Sequence, residues 1–342
     1  MGHYFKSDNT APACPEILAA IAAANEGFAT GYGDDPWTQR LERELERLFE
    51  APLRAFPVAT GTAANALALA SFTPPWGEVL AHREAHVVRD ECGAPEFMSG
   101  GARLLLLDGA DGKVTPTAIT EALADNPPSV HTVQPCALSI TQATELGTVY
   151  TPAQLRAVCA QAHASGLRVH VDGARFANAV ASLGCRPHEL GPGAGVDVLT
   201  FGATKNGALA AEAVVFFDPA LARDFELRRK RAGHLFSKMR FVSAQLLAYL
   251  DGELWLRNAR RANGLAREIG AAAGSLLLHP VEANEVFIGT TPERIAALRA
   301  EGFLFYDWGA ADSGQARFVV SWNQPREGVE ALAAALRRLA LG

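Results

Sequence analysis

The stretch H-V-D-G-A-R-F-A-N-A-V (His170–Val180) decides the fold class. It begins at the end of the apolar run Leu167–Val171, which predicts a buried β-strand, and it continues into a predicted helix, Gly173–Leu183. Ligands of open α/β sheets bind at the carboxyl ends of the strands, so Asp172 is predicted to face a crevice. Two interpretations of Asp172 stay open: an N-cap of the next helix, or a carboxylate that pairs with a protonated ring nitrogen.

On both sides of this stretch, short apolar runs that are bounded by Gly, Pro or Asp alternate with helical patterns. The predicted strands are Arg54–Val58, Arg103–Leu107, Val130–Ser139, Leu167–Val171, Val196–Phe201 and Ala213–Phe217. The predicted helices include Pro36–Glu50, Thr62–Ser71, Pro152–Ser165 and Gly173–Leu183. Apolar strands that alternate with helices indicate an α/β domain whose sheet is largely parallel.

The pattern changes after about residue 218. Basic helical segments are followed by short strands and a closing helix, in the order Ala220–Lys230, Met239–Ala272, Glu285–Gly289, Arg317–Trp322 and Arg326–Leu341. The chain has 342 residues, which is more than a single hydrophobic core usually serves. We therefore expect a large α/β domain with an N-terminal arm over residues 1–240 and a small α+β domain over residues 241–342.

The composition argues against several classes of protein. Charged residues make up 20% of the chain and the net charge of −6 is spread along it, so we expect no nucleic-acid partner. The apolar run Ile17–Ala24 is too short to span a membrane, and no basic segment precedes it as in a secretory signal. The five cysteines are scattered and odd in number, so we expect neither disulfides nor a metal site, and a location in the reducing cytoplasm.

Lys205 follows the next predicted strand, in the run V-L-T-F-G-A-T-K (Val198–Lys205). A single lysine in a loop is usually a solvated surface charge, and that interpretation stays open. The neighbours Gly202, Ala203 and Thr204 are small, however, so a flat ring could approach the backbone there. A lysine amine in such a partly desolvated place can form an imine with an aldehyde.

The run A-T-G-T-A-A-N (Ala59–Asn65) joins a predicted strand to a predicted helix. Gly61 and Thr62 would offer backbone N–H groups and a hydroxyl at the helix N-terminus, which suits a phosphate. The same residue types also cap helices that bind nothing. His86 could lie flat against a heteroaromatic ring and move protons near neutral pH, or it could be a surface or capping histidine.

Two arginines suit an acidic ligand. Arg175 lies about one helical turn after Asp172, so it could face the same crevice. Arg317 begins the predicted C-terminal strand R-F-V-V-S-W (Arg317–Trp322). A planar guanidinium can bind the carboxylate of an amino acid through two parallel hydrogen bonds. The alternative for each is a surface ion pair.

Together these motifs resemble the threonine aldolase family, which belongs to the pyridoxal-phosphate enzymes of the aspartate-aminotransferase fold (fold type I). The resemblance extends over nearly the whole chain and is most specific in His170–Val180. The other matching motifs are K-S-D-N-T (Lys6–Thr10), Y-G-D-D-P (Tyr32–Pro36), T-G-T-A-A-N (Thr60–Asn65) and A-H (Ala85–His86). The resemblance implies a mainly parallel sheet sandwiched by helices, with a smaller C-terminal α+β domain.

The resemblance also implies a cofactor, pyridoxal 5'-phosphate, and a role for each matching residue. The catalytic residues would be Lys205, where the family has its Schiff-base lysine, Asp172 on the pyridine nitrogen, and His86 stacked on the ring. The other cofactor-binding residues would be Gly61 and Thr62 at the phosphate, Arg175 and Thr204. The substrate carboxylate would be held by Ser7, Arg175 and Arg317.

One stretch departs from the family pattern. Many members carry Glu-Asn-Thr-His-Asn, whose histidine lies near the substrate hydroxyl, whereas this chain has I-T-Q-A-T-E (Ile140–Glu145). Gln142 and Thr144 are the polar groups available there, and we expect Gln142 at the substrate. We assign removal of the hydroxyl proton to His86, or to a water molecule that His86 holds.

The implied function is retro-aldol cleavage of L-β-hydroxy-α-amino acids, such as threonine, allo-threonine and phenylserine, to glycine and an aldehyde. Two alternatives stay open: another pyridoxal-phosphate reaction (β-elimination, transamination or transaldolation), or a non-catalytic binding protein that has kept the fold. The resemblance also implies a homodimer or homotetramer with shared active sites. The basic stretch Arg228–Arg240 resembles a segment that reaches the phosphate of a neighbouring subunit, with His234, Lys238 and Arg240 as candidates.

Overall fold

A computed structural model describes residues 2–125, 127, 129–310 and 312–341. None of the helices in these ranges is both long enough and apolar enough to cross a bilayer. The strands, in chain order, are β1 (His3–Tyr4), β2 (Arg54–Val58), β3 (Gly77–His82), β4 (Arg103–Leu107), β5 (Gln134–Thr141), β6 (Arg168–Gly173), β7 (Val198–Gly202), β8 (Glu212–Phe216), β9 (Glu285–Gly289), β10 (Phe303–Leu304), β11 (Tyr306–Asp307) and β12 (Gln315–Val319). The α-helices are α1 (Pro15–Ala24), α2 (Pro36–Phe49), α3 (Gly61–Ala70), α4 (His86–Arg89), α5 (Ala94–Ser99), α6 (Pro116–Ala124), α7 (Pro152–Ala164), α8 (Phe176–Leu183), α9 (Phe225–Arg231), α10 (Arg240–Leu250), α11 (Leu254–Ala273), α12 (Pro292–Ala300) and α13 (Arg326–Leu341).

The central sheet contains seven strands in the order β2-β8-β7-β6-β5-β3-β4. The strands from β7 to β4 run parallel to their neighbours, whereas β8 is antiparallel to both β7 and β2. Every residue of β7 and β8 is buried, so both faces of the sheet are covered there, as is usual for parallel sheets. The predicted α/β fold with a mainly parallel sheet between helices is confirmed.

A second, smaller sheet of β11, β12 and β9 is antiparallel, and β1 of the N-terminal arm pairs with β10 nearby. The buried apolar side chains form one large cluster around the central sheet and another around the small sheet, which includes Phe5, Ile269 and Phe318. Helix α11 contributes to both clusters, with Trp255 in the first and Ile269 in the second. The division at residue 240 stays a prediction.

Among the elements that differ from the prediction, two have a clear physical reason. Strand β3 was not predicted, because its sequence G-E-V-L-A-H has only three consecutive apolar residues between Glu78 and His82, both of which are nevertheless buried. The segment Met239–Ala272 was predicted as one long helix, but it is divided between α10 and α11. The division lies at Gly252 and Glu253, whose φ angles of 52° and 55° are left-handed and cannot continue an α-helix.

Candidate active site

A cleft opens at the carboxyl ends of the adjacent strands β5, β6 and β7. It has two lobes, of about 490 and 330 Å³, and His86, Asp172 and Lys205 line both of them. We call the smaller one the Gly61 lobe and the larger one the Arg317 lobe. Gly61 and Arg317 each line only the lobe that carries their name. The residues predicted after separate strands therefore meet in one place.

Asp172 is a buried carboxylate, 2% exposed, and both of its oxygens accept hydrogen bonds. Oδ2 accepts from Asn65 Nδ2 at 2.8 Å, and Oδ1 accepts from the backbone N–H two residues later at 2.9 Å. Burial alone would raise the pKa of Asp172, but the charges of His86 and Lys205 outweigh burial, and the pKa is lowered. Helix α8 begins only at Phe176, so Asp172 is not its N-cap but an ionised group that faces the cleft.

Lys205 follows β7 in a tight turn whose backbone is firmly held. Gly207 has a φ of +114°, a conformation that residues with a Cβ rarely adopt. The buried Asn206 donates hydrogen bonds to Tyr249 Oη at 2.7 Å and to the Trp255 carbonyl at 2.8 Å. The backbone around Lys205 is thus fixed, while its side chain lines both lobes.

The Gly61 lobe contains the N-terminus of helix α3. Thr60 caps this helix, since its hydroxyl accepts a hydrogen bond of 3.2 Å from Ala63 N. A Cβ placed on Gly61 would meet no atom within 4 Å, so there is open space beside the first turn. The N–H groups of Gly61 and Thr62 have no partners within the helix and suit an anion in this space. Thr204 lines the same lobe.

His86 is held by a buried carboxylate that was not predicted. Its ring Nδ1 lies 2.8 Å from Glu91 Oε1, and Glu91 is 3% exposed. The hydrogen bond to Glu91 raises the pKa of His86 above its usual value, and burial raises the pKa of Glu91. Because Nδ1 is engaged with Glu91, Nε2 is the ring nitrogen left for a ligand.

His86, Glu91 and Asp172 offer ligand atoms that lie within 4.8 Å of one another, a spacing that a metal ion could use. Asn65 Nδ2, however, donates to Glu91 and to Asp172 at 2.8 Å each. One oxygen of each carboxylate therefore already accepts a hydrogen bond from the Asn65 amide. A cation would need those oxygens free, so we do not assign these residues as metal ligands.

Arg175 is a buried arginine whose guanidinium already has acidic partners. Nε and Nη2 donate to the two carboxylate oxygens of Asp8 at 2.8 and 3.1 Å, and Nη1 lies 3.4 Å from Glu285 Oε2. Burial alone would lower the pKa of Arg175, but the two acids outweigh it and raise the pKa. Burial alone would likewise raise the pKa of Asp8, but the charges of Arg175 and Lys205 lower it. Arg175 thus joins the N-terminal arm to β9 while it lines the Arg317 lobe.

Arg317, on β12, has fewer acidic partners than Arg175. Its guanidinium carbon lies 5.8 and 5.5 Å from the ring centroids of Tyr306 and Trp308. Its Nη1 is 3.9 Å from Glu285 Oε1, and its buried Nε has no hydrogen-bond partner in the part of the chain that the structure describes. Arg317 therefore keeps donors for a ligand carboxylate, and Ser7 lines the same lobe.

The stretch Ile140–Glu145 requires a correction. Gln142 is fully buried and turned toward the backbone of Tyr150, to which it donates at 2.8 Å and from which it accepts at 2.9 Å. The predicted placement of Gln142 at the substrate is wrong, because both ends of its amide close a local turn. Thr144 is likewise engaged with another threonine hydroxyl at 2.9 Å. The charged residue of this stretch that lines the Arg317 lobe is Glu145.

The predicted site residues otherwise line one cleft: Ser7, Gly61, Thr62, His86, Asp172, Arg175, Thr204, Lys205 and Arg317. Acidic residues that contact or line the site and were not predicted include Asp8, Glu91, Glu145 and Glu285. Asp8 lies inside the quoted motif K-S-D-N-T and Glu145 ends the quoted stretch I-T-Q-A-T-E, so both had a usable signal. Glu91 and Glu285 reach the site only through the folding of the chain, and no local pattern distinguishes them from surface acids.

Comparisons with known proteins agree with this geometry. A family model described as beta-eliminating lyase matches residues 4–291. The chain is 46% identical over 337 residues to the low specificity L-threonine aldolase of Pseudomonas aeruginosa. This alignment covers 97% of this chain and 96% of that protein. It is 24% identical over 295 residues to the Saccharomyces cerevisiae protein of the same name, with 85% and 74% covered. The solved threonine aldolase of Leishmania major matches with a TM-score of 0.92 at 27% identity, over 98% of this chain and 99% of that one.

Proposed function

Because this chain belongs to the threonine aldolase family, we propose that it cleaves L-β-hydroxy-α-amino acids of the threonine, allo-threonine and phenylserine type to glycine and an aldehyde, with pyridoxal 5'-phosphate as cofactor. The observation that supports this most directly is the composition of the cleft. A buried ionised carboxylate, Asp172, and an amine, Lys205, line it together with an arginine that keeps free donors, Arg317.

The residues of the Gly61 lobe fit this cofactor. The first turn of α3 offers N–H groups for a phosphate, and the space beside Gly61 is open. Two buried polar atoms in the network around Asp172, Asn65 Oδ1 and Glu91 Oε2, have no hydrogen-bond partner among the described residues. Buried polar atoms without partners are rare in folded proteins, which suggests that a polar ligand belongs beside them. Gly61, Thr62 and Thr204 would hold the phosphate end, with Asp172 and His86 at the ring.

The chemistry divides between the cofactor and the chain. When bound, pyridoxal 5'-phosphate supplies an aldehyde that condenses with amines and a protonated ring that accepts the electron pair of the breaking bond. The Asp172 carboxylate, whose pKa is lowered, would pair with the ring nitrogen and keep a proton on it. The Lys205 amine would attach the cofactor to the chain, and it would also be placed to return a proton to the substrate Cα.

The Arg317 lobe would orient the substrate. Arg317 has free donors for the substrate carboxylate, and Ser7 and Arg175 line the same lobe. A carboxylate held at that end would fix the orientation of the substrate, and with it which of the bonds to Cα is presented for cleavage. Fixed orientation of this kind supplies a large part of the rate enhancement of enzymes.

A panel of enantiopure substrates tests the proposed reaction. The protein, supplied with pyridoxal 5'-phosphate, is incubated with L-threonine, L-allo-threonine, L-phenylserine and L-serine, and glycine, aldehyde, ammonia and keto acid are measured. We expect glycine and aldehyde in equal amounts from the β-hydroxy substrates. Keto acid and ammonia as the main products, or no turnover of any substrate, would contradict the aldolase assignment.

β-Elimination is the second candidate reaction, since the matching family model is described as beta-eliminating lyase. It would release ammonia and pyruvate from L-serine and would require a leaving group at Cβ rather than a hydroxyl that loses its proton. The L-serine arm of the panel separates the two reactions. We expect glycine, and little pyruvate, from that arm.

We propose that the protein is a homo-oligomer whose active sites lie near subunit contacts. Leu209 is 60% exposed and immediately precedes Ala210, which lines the Gly61 lobe, and Leu227 is 72% exposed on α9. In the basic stretch 228–240, Arg240 donates to the Gly27 carbonyl at 3.1 Å. Contact of His234, Lys238 or Arg240 with a neighbour's phosphate stays a prediction. Light scattering should give a dimer or tetramer, and Leu209→Glu should lower that mass.

We also propose that the protein works in the cytoplasm. All five cysteines are free, including the exposed Cys92, which suits a reducing compartment. Fractionation of the source cells should find the protein with cytoplasmic markers, and recovery in an oxidising compartment would contradict the proposal.

A further inference from the structure

Glu145 lies at the catalytic cleft without a predicted role. It follows β5 in the stretch that departs from the family pattern, and its side chain lines the Arg317 lobe together with Asp172 and Lys205. The backbone N–H of His86 donates to Glu145 Oε1 at 2.8 Å. The carboxylate is therefore held next to His86, the residue that is predicted to stack on the cofactor ring. One carboxylate oxygen is thus held by the fold, and the side chain is only partly buried, so the carboxylate can contact a ligand in the lobe.

The other acidic groups that line this lobe are poor proton acceptors for a bound substrate. Glu84 is paired with Arg89, at 3.7 Å, and Asp307 with Arg299, at 2.6 Å. Asp90 is exposed to solvent. Asp172 already accepts two hydrogen bonds and has a lowered pKa, which makes it a weak base.

His86, the predicted base, is also less suitable than its position suggests. Its Nδ1 is engaged with Glu91, and that hydrogen bond raises the pKa of the imidazole. Only Nε2 is then left to accept a proton, and the Glu91 carboxylate holds the ring in one orientation. Its ring remains suited to contact with the cofactor.

We propose that Glu145 is the base that removes the proton of the substrate β-hydroxyl, in the place of His86. This assignment rests on the proposed aldolase function, because a β-hydroxyl proton is removed only if the Cα–Cβ bond is cleaved by the retro-aldol route. It concerns a residue of this chain's own I-T-Q-A-T-E stretch, where the histidine of many family members is absent.

The step balances as follows. The Glu145 carboxylate accepts the hydroxyl proton, and the electron pair of the O–H bond becomes the second C–O bond of the aldehyde. The Cα–Cβ bond breaks, and its electron pair stays with the amino-acid fragment. That fragment takes up one proton at Cα to become glycine, and Glu145 releases one proton after the aldehyde leaves. No oxidant, reductant or metal is required.

The electrostatic surroundings of Glu145 suit this step. Burial raises the pKa of Glu145 to about 7, and the negative charge of Asp172 acts in the same direction, while the N–H of His86 and its charge oppose them. The other charged groups that line this lobe are Glu84, Arg89, Asp90, Arg175, Lys205, Asp307 and Arg317. A carboxyl group with a pKa close to the working pH is an efficient general base, because it is both available and basic enough.

Glu145→Gln tests the assignment, because glutamine keeps the size and the hydrogen bond from His86 but cannot accept a proton. Cleavage of L-threonine is compared with exchange of the glycine α-proton into deuterated water, which needs the cofactor, Lys205 and Asp172 but no hydroxyl base. We expect kcat for cleavage to fall by about 10²-fold or more, with glycine exchange within about threefold of the wild type. Glu121→Gln, at an exposed position on α6 outside the cleft, should keep both rates.

A second readout does not depend on turnover. In the cofactor-free protein, the infrared band of a protonated carboxyl group should titrate near pH 7 in the wild type, and part of that band should be missing in Glu145→Gln. Glu145→Asp keeps a carboxylate and should restore part of the cleavage rate. The band lost in Glu145→Gln would separate this residue from Glu212, whose pKa is also raised to about 7 by burial.

Three results would overturn the assignment. Cleavage by Glu145→Gln within threefold of the wild type would place the base elsewhere. Equal loss of cleavage and of glycine exchange would show that Glu145 only maintains the site. If the wild type exchanges the glycine proton but cleaves no β-hydroxy amino acid, the proposed function itself fails, and the role of Glu145 fails with it.

Discussion

The side-chain amide of Asn65 donates a hydrogen bond of 2.8 Å to Asp172 Oδ2, and both residues are buried. The same nitrogen lies 2.8 Å from Glu91 Oε1. A single amide thus supports both the carboxylate that we place at the ring nitrogen and the carboxylate that holds His86. It also reduces the repulsion between two neighbouring acids, a repulsion that contributes to the raised pKa of Glu91.

Asn65→Ala should therefore destabilise the cofactor-free protein. Removing the amide leaves two buried carboxylates with one donor fewer, a loss of about 1–3 kcal/mol in the free energy of unfolding. Urea unfolding measures the change. Asn25→Ala, at an exposed position after α1, is the control and should change the free energy by less than about 0.5 kcal/mol. Equal stability of the two variants would show that the Asn65 bridge contributes nothing.

Arg317→Ala should weaken substrate binding and leave the fold intact. Arg317 makes a long ion pair to Glu285, at 3.9 Å, and lies against the rings of Tyr306 and Trp308, and its buried Nε has no hydrogen-bond partner among the described residues. Loss of a bidentate contact to the substrate carboxylate should raise KM by about 10-fold or more, since hydrogen bonds between charged groups contribute roughly 1.5–3 kcal/mol. Steady-state kinetics measure KM, and an unchanged value would remove Arg317 from the substrate site.

Arg175→Ala should act mainly on stability instead. Its guanidinium neutralises Asp8 and Glu285, which are 1% exposed each, and without it two buried carboxylates would face each other. Breaking a buried pair by removing one partner costs about 3–5 kcal/mol. Thermal and urea unfolding of the cofactor-free protein should show this loss. A variant that unfolds like the wild type would mean that the arm is held by other contacts.

The buried His170 should make the stability of the folded protein depend on pH. Burial lowers its pKa to about 4, from 6.5 in the unfolded chain, so the folded protein keeps the ring neutral while the unfolded chain takes up a proton. The stabilising contribution is complete above pH 6.5 and is lost as the pH falls toward 4, to a total of about 3 kcal/mol.

The measurement for His170 is the free energy of unfolding from pH 7 to pH 4 in the wild type and in His170→Gln, which does not titrate. Across this range the wild type should lose up to about 3 kcal/mol more than the variant. Glu145 and Glu212, whose carboxyl groups titrate between the same limits, are present in both proteins, so their effect cancels in the difference. Parallel curves would contradict the buried neutral state of His170.

The sequence predicts those parts of the fold whose pattern is local. Strands such as β6 and β7 are mostly apolar runs that end in Asp-Gly or Gly, and their order along the chain places Asp172 and Lys205 at one edge of the sheet. Strand β3 was not predicted, because two polar side chains at its ends, Glu78 and His82, are buried and leave only three apolar residues between them. The direction of Gln142 could not be predicted either, because it depends on the backbone of Tyr150, which returns beside it only after the loop has folded.

The central claim, that Lys205 carries the cofactor in a cleft built for it, is tested most directly by reducing the loaded protein with borohydride and mapping the modified peptide by mass spectrometry. The chain has five lysines: Lys6, Lys113, Lys205, Lys230 and Lys238. The account predicts one cofactor per chain, attached at Lys205, and no attachment in Lys205→Ala. Attachment at another lysine, or a protein that takes up no pyridoxal 5'-phosphate, would contradict it.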